Sequence, residues 1–302
     1  MPRQIALAVC ILFIVWLFYR DRKLRPMTSI ALYIPLVWVI ILSTRGFTWW
    51  LGGQGIHVEE LDDYLEGSSF ERNALLCLLA AGLVVVITRL THCLSLVKEN
   101  RFFLLFFVFC GISCLWSDYA FTAFKRYIKD VTHLVMALII LTEADPKQAI
   151  RSVLAKCTYI AIPLSVLFII YFPEYGRFYS RWTGGVSYTG ITTNKNSLGQ
   201  VVFICGIFII WDLIEARIQN SSIKNKIDSY TRYILLAMVF WLLYMAHSST
   251  SLVCMILGSI ILFIMQTSLF KNQIRNLGIW TMIVFLLVII IYSIPGIIES
   301  LT

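Results

Sequence analysis

What most constrains this chain is the recurrence of apolar runs about as long as a bilayer is thick. They cover residues 4–19, 28–44, 73–88, 102–116, 127–142, 153–172, 197–213, 232–247, 250–267 and 277–294. A helix crosses the hydrocarbon core with about 17–25 such residues, and in hydrocarbon a helix satisfies its own backbone N–H and C=O groups. Composition agrees: 59% of the 302 residues are hydrophobic, 14% are charged and the mean hydropathy is +0.80. An ordinary soluble domain has about 45–50% apolar and about 25% charged residues. The expected fold is therefore all-α, a polytopic membrane protein of about ten transmembrane helices, with residues 1–302 as one helical domain. Residues 4–19 read as a retained span, because basic residues follow the run and no small-residue cleavage site follows Phe18.

Loop charges set the expected orientation. Alternate loops carry Arg20, Arg22, Lys23 and Arg25; then Arg89, Lys98 and Arg101; then Lys147, Arg151 and Lys156; then Arg217, Lys224, Lys226 and Arg232; and finally Lys271 and Arg275. Odd-numbered loops then belong in the cytoplasm and even-numbered loops outside. The second loop, 46–69, fits the outside: it holds Glu59, Glu60, Asp62, Asp63 and Glu66 and no Lys or Arg. Ten spans put both termini outside. The net charge of +8 follows from this sorting and gives no reason to expect nucleic acid as a partner. The eight cysteines lack the CxxC and Cys/His spacings of metal sites. They read as small apolar packing residues; no disulfide, metal or other cofactor is expected.

Between two apolar runs lies Pro173–Gly199, PEYGRFYSRWTGGVSYTGITTNKNSLG, whose residues 173–196 form the expected outer-face functional loop. Six basic residues sit outside against the charge rule: Arg177, Arg181 and Lys195 in this loop, and Lys125, Arg126 and Lys129 at the start of the fifth run. Positive charge kept outside opposes insertion, and a cradle for a diphosphate would explain it. Arg presents a planar fork of donors to phosphate oxygens and Lys a point charge. Lys125, Lys129 and His133 are spaced by four and share a helical face; Arg126 and Asp130 are one turn apart and placed to pair. The competing explanation is snorkelling to anionic lipid head groups. It is as good for Lys125, Arg126 and Lys129, and weaker for Arg177 and Arg181, where Gly176, Gly184, Gly185 and Gly190 let backbone approach a ligand. Asn196 or Ser197 would cap the next helix. Its N-terminus, with Asn194, Asn196 and Lys195, would offer N–H groups and partial positive charge to an anion; a plain cap with a solvated lysine explains the same residues. His133 and His247 are better placed for local hydrogen bonds than for catalysis, and Ser248–Ser251 reads as a polar turn between helices. Trp182 or Tyr179 could stack on a sugar, although an interfacial aromatic belt accounts for both.

Arg181-x-x-Gly184, then N-K-N-x-L-G over Asn194–Gly199 at the head of an apolar helix, form a pattern. Leu115-Trp116-Ser117-Asp118 ahead of Lys125-Arg126, and Leu141-Thr142-Glu143 after the fifth run, extend it. The pattern resembles the O-antigen ligase/O-antigen polymerase family over most of the chain, with N-K-N-x-L-G as its most specific part. The resemblance implies a multi-pass protein of the bacterial inner membrane, similar to the lipid-dependent (GT-C-like) glycosyltransferases. Such a protein takes a glycan from an undecaprenyl-diphosphate carrier at the periplasmic face and joins it to a glycan or lipid acceptor, without a metal. It further implies that Arg177, Arg181 and Lys195 hold the diphosphate. The family usually carries a large periplasmic loop late in the chain, with a histidine proposed as base; Thr302 stands about where that loop would begin. A non-catalytic or truncated component of a polysaccharide assembly complex is therefore one alternative expectation. A membrane transporter or flippase is another, disfavoured by the scarcity of ionisable residues deep in the apolar runs.

Overall fold

The computed structural model describes residues 2–24, 29–46, 69–179, 184–218 and 226–266, together with Gly278, Met282 and Leu286. Nearly all of the acidic second loop, Arg181, Trp182 and most of the last apolar run lie outside the described residues. The chain divides into two compact units, Met1–Leu252 and Val253–Thr302.

The helices follow the apolar runs. α1 (Arg3–Leu24) precedes a 3-10 turn, Ile30–Leu32, in which the Ala31 N–H donates to Ser29 Oγ (3.1 Å), and α2 (Tyr33–Ser43) continues from it. α3 (Ser69–Thr88) is followed by α4 (Leu90–Glu99), and α5 (Arg101–Ser113) ends in a second 3-10 turn, Cys114–Trp116. α6 is Ala120–Leu141. α7 (Pro146–Tyr171) starts where the Gln148 N–H donates to the Asp145 carboxylate (3.0 Å) and Pro146 fixes the first helical φ. A one-turn helix α8 (Pro173–Gly176) leads into a hairpin of β1 (Arg177–Tyr179) and β2 (Val186–Tyr188). α9 (Lys195–Ile218), α10 (Lys226–Ala246) and α11 (Ser249–Ile264) complete the order.

Among the described residues, four helices are long and apolar enough to cross a membrane: α1, α7, α9 and α10. The number is five if α3 and α4, bent by 91° at Arg89, count as one span. Three further helical stretches are apolar but shorter, Ile30–Ser43, Arg101–Trp116 and Ser249–Ile264. Their surfaces are apolar too. α5 leaves Phe102, Phe103, Leu105, Phe106 and Phe109 exposed, a continuous face that a water-soluble helix would bury. In the second unit, α11 likewise exposes Val253, Ile256, Leu257, Ile260 and Ile261.

Residues 90–99 correct the sequence reading, which placed them in a loop. Leu90, Leu94 and Val97 recur at helical spacing among His92, Ser95 and Lys98, enough for an amphipathic helix too short to span. Arg89 fixes the bend, pairing with Glu143 Oε1 (2.8 Å) and donating to Ser29 Oγ (3.3 Å).

α7 is the centre of the first unit, packed by α1, α2, α9 and α10. Leu32 and Leu36 pack against Ala149, Val153 and Cys157 of α7, and Trp38 packs against Val135, Met136 and Ile139 of α6. The short Thr142–Asp145 connection folds α6 back against α7. Arg3 at the start of α1 reaches Glu174 beyond the end of α7 (3.0 Å). One end of the bundle thus collects residues 173–179 and 184–194 with the starts of α1, α6 and α9, and we term it the loop end.

The opposite end carries ion pairs. Asp212 of α9 accepts from Arg151 of α7 and from Arg232 of α10, the latter at 2.6 Å. Lys156, buried about three turns into α7, reaches Asp21 of α1 (3.2 Å) and the Ser152 hydroxyl. Lys147 pairs with Glu215 (2.8 Å). The sequence reading assigned these cations to orientation alone; the fold gives each a carboxylate, which Arg151, Lys156 and Arg232 need because they are taken out of water.

Candidate functional site

The loop end is built on a glycine. At Gly176 an added Cβ would lie 2.3 Å from the Phe168 carbonyl carbon and 2.4 Å from its oxygen, so only glycine lets α8 seat on the last turns of α7. The freed Gly176 carbonyl accepts from the N–H groups of Thr189 (2.9 Å) and Gly190 (3.1 Å). Between those contacts the hairpin pairs antiparallel, Arg177 opposite Tyr188 and Tyr179 opposite Val186. Gly190 is left-handed (φ 54°) and rests against Ser165 and Leu198; the Ile191 N–H donates to the buried Ser165 hydroxyl (3.4 Å).

Arg45, which sequence reasoning passed over, straps this turn from the end of α2. Its backbone N–H donates to the Ile191 carbonyl (3.0 Å), Nε to the Thr192 carbonyl (2.7 Å) and Nη2 to Thr189 Oγ1 (2.6 Å). Burial lowers its pKa from the ordinary arginine value. Its signal was present in the sequence: a lone arginine between an apolar run and a stretch without Lys or Arg. Hydrogen bonds to a charged group contribute about 1.5–3 kcal/mol each. Arg45→Ala is therefore expected to speed amide exchange of residues 189–192 markedly while leaving α5 unchanged. Unaltered exchange across 189–192 would show that Arg45 is not a strut.

The structure sorts the sequence candidates as follows. Arg177 is half-buried; its Nε donates to the Ile169 carbonyl at the end of α7 (2.9 Å), and its guanidinium lies 5.6 Å from the Tyr188 ring centroid. No described residue accepts from either Nη. The helix cap is a correction: Asn194, not Asn196 or Ser197, caps α9, its Oδ1 accepting from the Ser197 N–H (2.8 Å). The cause is Thr192, whose hydroxyl donates to the carbonyls of Thr189 (2.8 Å) and Asn194 (3.0 Å) and turns the chain earlier. Lys195 and Asn196 are exposed in the first turn of α9. Arg181 lies outside the described residues. Lys125, Arg126 and Lys129 occupy the first turns of α6, at the same end of the bundle. Lys125 Nζ lies over the Phe121 ring (4.2 Å), while Arg126 and Lys129 are exposed. Arg126 and Asp130 form no ion pair, a second correction to their expected pairing. His133 Nδ1 lies 2.8 Å from the Lys129 carbonyl, which can only accept, so Nδ1 carries the proton.

The polar turn also comes to this end. α10 ends at Ala246 and α11 begins at Ser249, with His247 left-handed between them (φ 46°). Gly199 on α9 packs so closely that an added Cβ would meet Ser251 Oγ at 2.6 Å and Ser248 Cβ at 2.8 Å.

Compared with known proteins, the chain matches no family model, no curated protein and no solved structure. At the ion-pair end Lys147, Arg151, Lys156 and Arg232 each meet a carboxylate. Arg217 at that end meets the Tyr233 hydroxyl instead; at the loop end Arg3 meets Glu174, whereas Arg126, Lys129, Arg177 and Lys195 meet no carboxylate among the described residues. Cations left uncompensated beside a helix N-terminus and a turn of pinned backbone can hold a multiply charged anion. Among the described residues no group of three or more His, Cys, Asp or Glu could hold a metal.

Proposed function

We propose that this chain is a membrane protein of the O-antigen ligase/polymerase type. In this reading it works in a bacterial inner membrane, on a ten-span fold similar to the lipid-dependent (GT-C-like) glycosyltransferases. It transfers or polymerises a glycan from an undecaprenyl-diphosphate carrier at the periplasmic face, onto a glycan or lipid acceptor. The observation that supports the reading is the set of cations Arg126, Lys129, Arg177 and Lys195 at the loop end, none of which meets a carboxylate among the described residues.

Breaking the glycosyl–phosphate bond leaves charge on the departing diphosphate, and preorganised cations stabilise it. Arg177 suits that task because its Nε is tied to the Ile169 carbonyl, which fixes the guanidinium while leaving its Nη donors for a phosphate. Arg181 and Lys195 complete the cation set. An acceptor hydroxyl attacking the sugar also needs a base. A second reading is a carrier-binding component that is not itself catalytic.

The test is binding of undecaprenyl-diphosphate glycan to the purified protein in nanodiscs. Arg177→Ala or Arg181→Ala is expected to weaken it about tenfold or more, the equivalent of one charge-assisted contact. No binding, or binding indifferent to both substitutions, sinks the proposal. Product formation with an added acceptor separates the enzyme from the non-catalytic component.

A further inference from the structure

Charge interrupts every long helix of this protein before it could cross an ordinary bilayer. Among the described residues, the helical stretches without Asp, Glu, Lys or Arg are 4–19 in α1, 73–88 in α3, 102–116 in α5 and its 3-10 turn, 157–171 in α7, 196–211 in α9 and 233–246 in α10. Residues 30–43, in α2 and its 3-10 turn, and 131–141 of α6 are no longer, and in the second unit α11 has 249–264. The longest of these stretches have 16 residues, about 24 Å at 1.5 Å per residue, against a hydrocarbon core of about 30 Å. Any tilt makes the layer they span thinner still.

The ion pairs keep these boundaries in place. A lysine or arginine at the edge of a short apolar stretch can extend toward distant head groups, but an aspartate cannot. Asp21 and Asp212 are buried carboxylates, and they hold Lys156, Arg151 and Arg232 at their own level. α1 is pinned near both ends, by Arg3 to Glu174 and by Asp21 to Lys156, and its two pinned residues are 18 positions, about 27 Å, apart.

The exposed surface repeats the measure. Tyr230 and Tyr244 are exposed toward the two ends of α10, 14 residues or about 21 Å apart. On α5 the exposed phenylalanines lie between exposed Arg101 and exposed Trp116. On α1 exposed Trp16 and Tyr19 stand toward the ion-pair end and exposed Arg3 at the other. Tyrosine and tryptophan in such places sit at head-group level, so the two belts are spaced for the same thin layer.

We propose that the surface of this protein fits a hydrocarbon layer of about 24 Å, so that short-chain phospholipids are its preferred lipid partners and a bilayer of ordinary thickness thins around it. Thinning is the response because the bundle is tied by ion pairs at fixed levels, whereas lipid chains are fluid and yield first. The inference rests on the chain crossing a membrane and is independent of what the chain acts on.

The test reconstitutes the full chain in monounsaturated phosphatidylcholines with 14, 16, 18 or 20 carbons per chain. A brominated 18-carbon lipid quenches tryptophan, and competition with each unbrominated lipid reads the preference of the protein surface. The 14-carbon lipid is expected to be preferred over the 18-carbon lipid by about twofold or more. Tm is expected to be highest in the 14-carbon bilayer and to fall as the chains lengthen. A preference that peaks at 18 carbons or more, or that ignores chain length, overturns the proposal without needing any variant to fold. Nitroxides placed by Tyr19→Cys and by Tyr244→Cys, with the exposed Cys77 and Cys254 replaced by alanine, then separate thinning from fit alone. Both labels are expected at head-group depth even in the 18-carbon bilayer, and burial of either in the hydrocarbon there overturns the thinning. None of these readouts uses a lipid-diphosphate glycan, so their failure leaves the proposed function standing, and failure of glycan binding leaves the fit to a thin layer standing.

Discussion

Asp212→Ala is expected to destabilise the first unit by about 3–5 kcal/mol, the usual effect of removing one partner from a buried ion pair. Asp212 is the only carboxylate on either Arg151 or Arg232 among the described ion pairs. The three side chains are 6%, 11% and 17% exposed, respectively. Without Asp212, two guanidinium groups from α7 and α10 would lose their paired carboxylate with little water to replace it. The carboxylate also borders a cavity of about 30 Å³ lined by Arg20, Asp21, Tyr159, Thr231 and Arg232, room for about one water, which is too little to solvate both cations. Asp212→Asn keeps the volume and an acceptor oxygen and should fall between wild type and alanine. Lys147→Ala is the control, because its side chain is 60% exposed and exposed pairs contribute about 0–1 kcal/mol. Unfolding in mixed micelles, followed by tryptophan fluorescence, reads all three. An Asp212→Ala loss no larger than that of Lys147→Ala would mean that the lattice does not hold α7, α9 and α10 together.

These pairings show where the sequence could be read and where it could not. The runs that became α7, α9 and α10 were legible because a helix in hydrocarbon must be apolar along its whole length, a requirement visible residue by residue. The partners of the charged residues were not. Asp21 and Lys156 are 135 positions apart, and nothing local in either neighbourhood names the other. α4 was hidden because Arg89, His92 and Lys98 resemble a cytoplasmic loop until Leu90, Leu94 and Val97 are placed on one helical face. The loop-end glycines were legible as a group, yet their separate tasks were not: Gly176 answers to the Phe168 backbone and Gly190 to Ser165, contacts made only when α7 ends where it does. The start of α9 was read within two residues, and the error came from the Thr192 hydroxyl, which competes for the same turn.

If the chain binds a lipid-diphosphate carrier as proposed, Gly176→Ala is expected to abolish tight binding of it although it alters no side chain that would touch the carrier. The added methyl would fall 2.3–2.5 Å from the Phe168 carbonyl group and the Ile169 nitrogen. Those atoms are helix backbone and cannot swing aside as the end of a long side chain could. Overpacking of this kind costs about 1–3 kcal/mol, occasionally more, and the strain would be relieved by lifting α8 off α7. Lifting α8 moves the Gly176 carbonyl away from Thr189 and Gly190 and draws Arg177 from the Ile169 carbonyl, so the backbone turn and the principal cation are displaced together. Gly190→Ala should be milder, because its 2.9 Å contacts are with the Ser165 side chain. Gly184→Ala should be milder still: among the described residues nothing lies within 4 Å of an added Cβ, and its φ of 63° is what resists a side chain, at about 1–2 kcal/mol. Protease cleavage between residues 172 and 195, measured beside carrier affinity, should follow the order Gly176, Gly190, Gly184. If Gly176→Ala kept wild-type affinity and protease resistance, the seating of α8 on α7 would not be what holds the loop, and Arg45 and Ser165 would have to hold it instead.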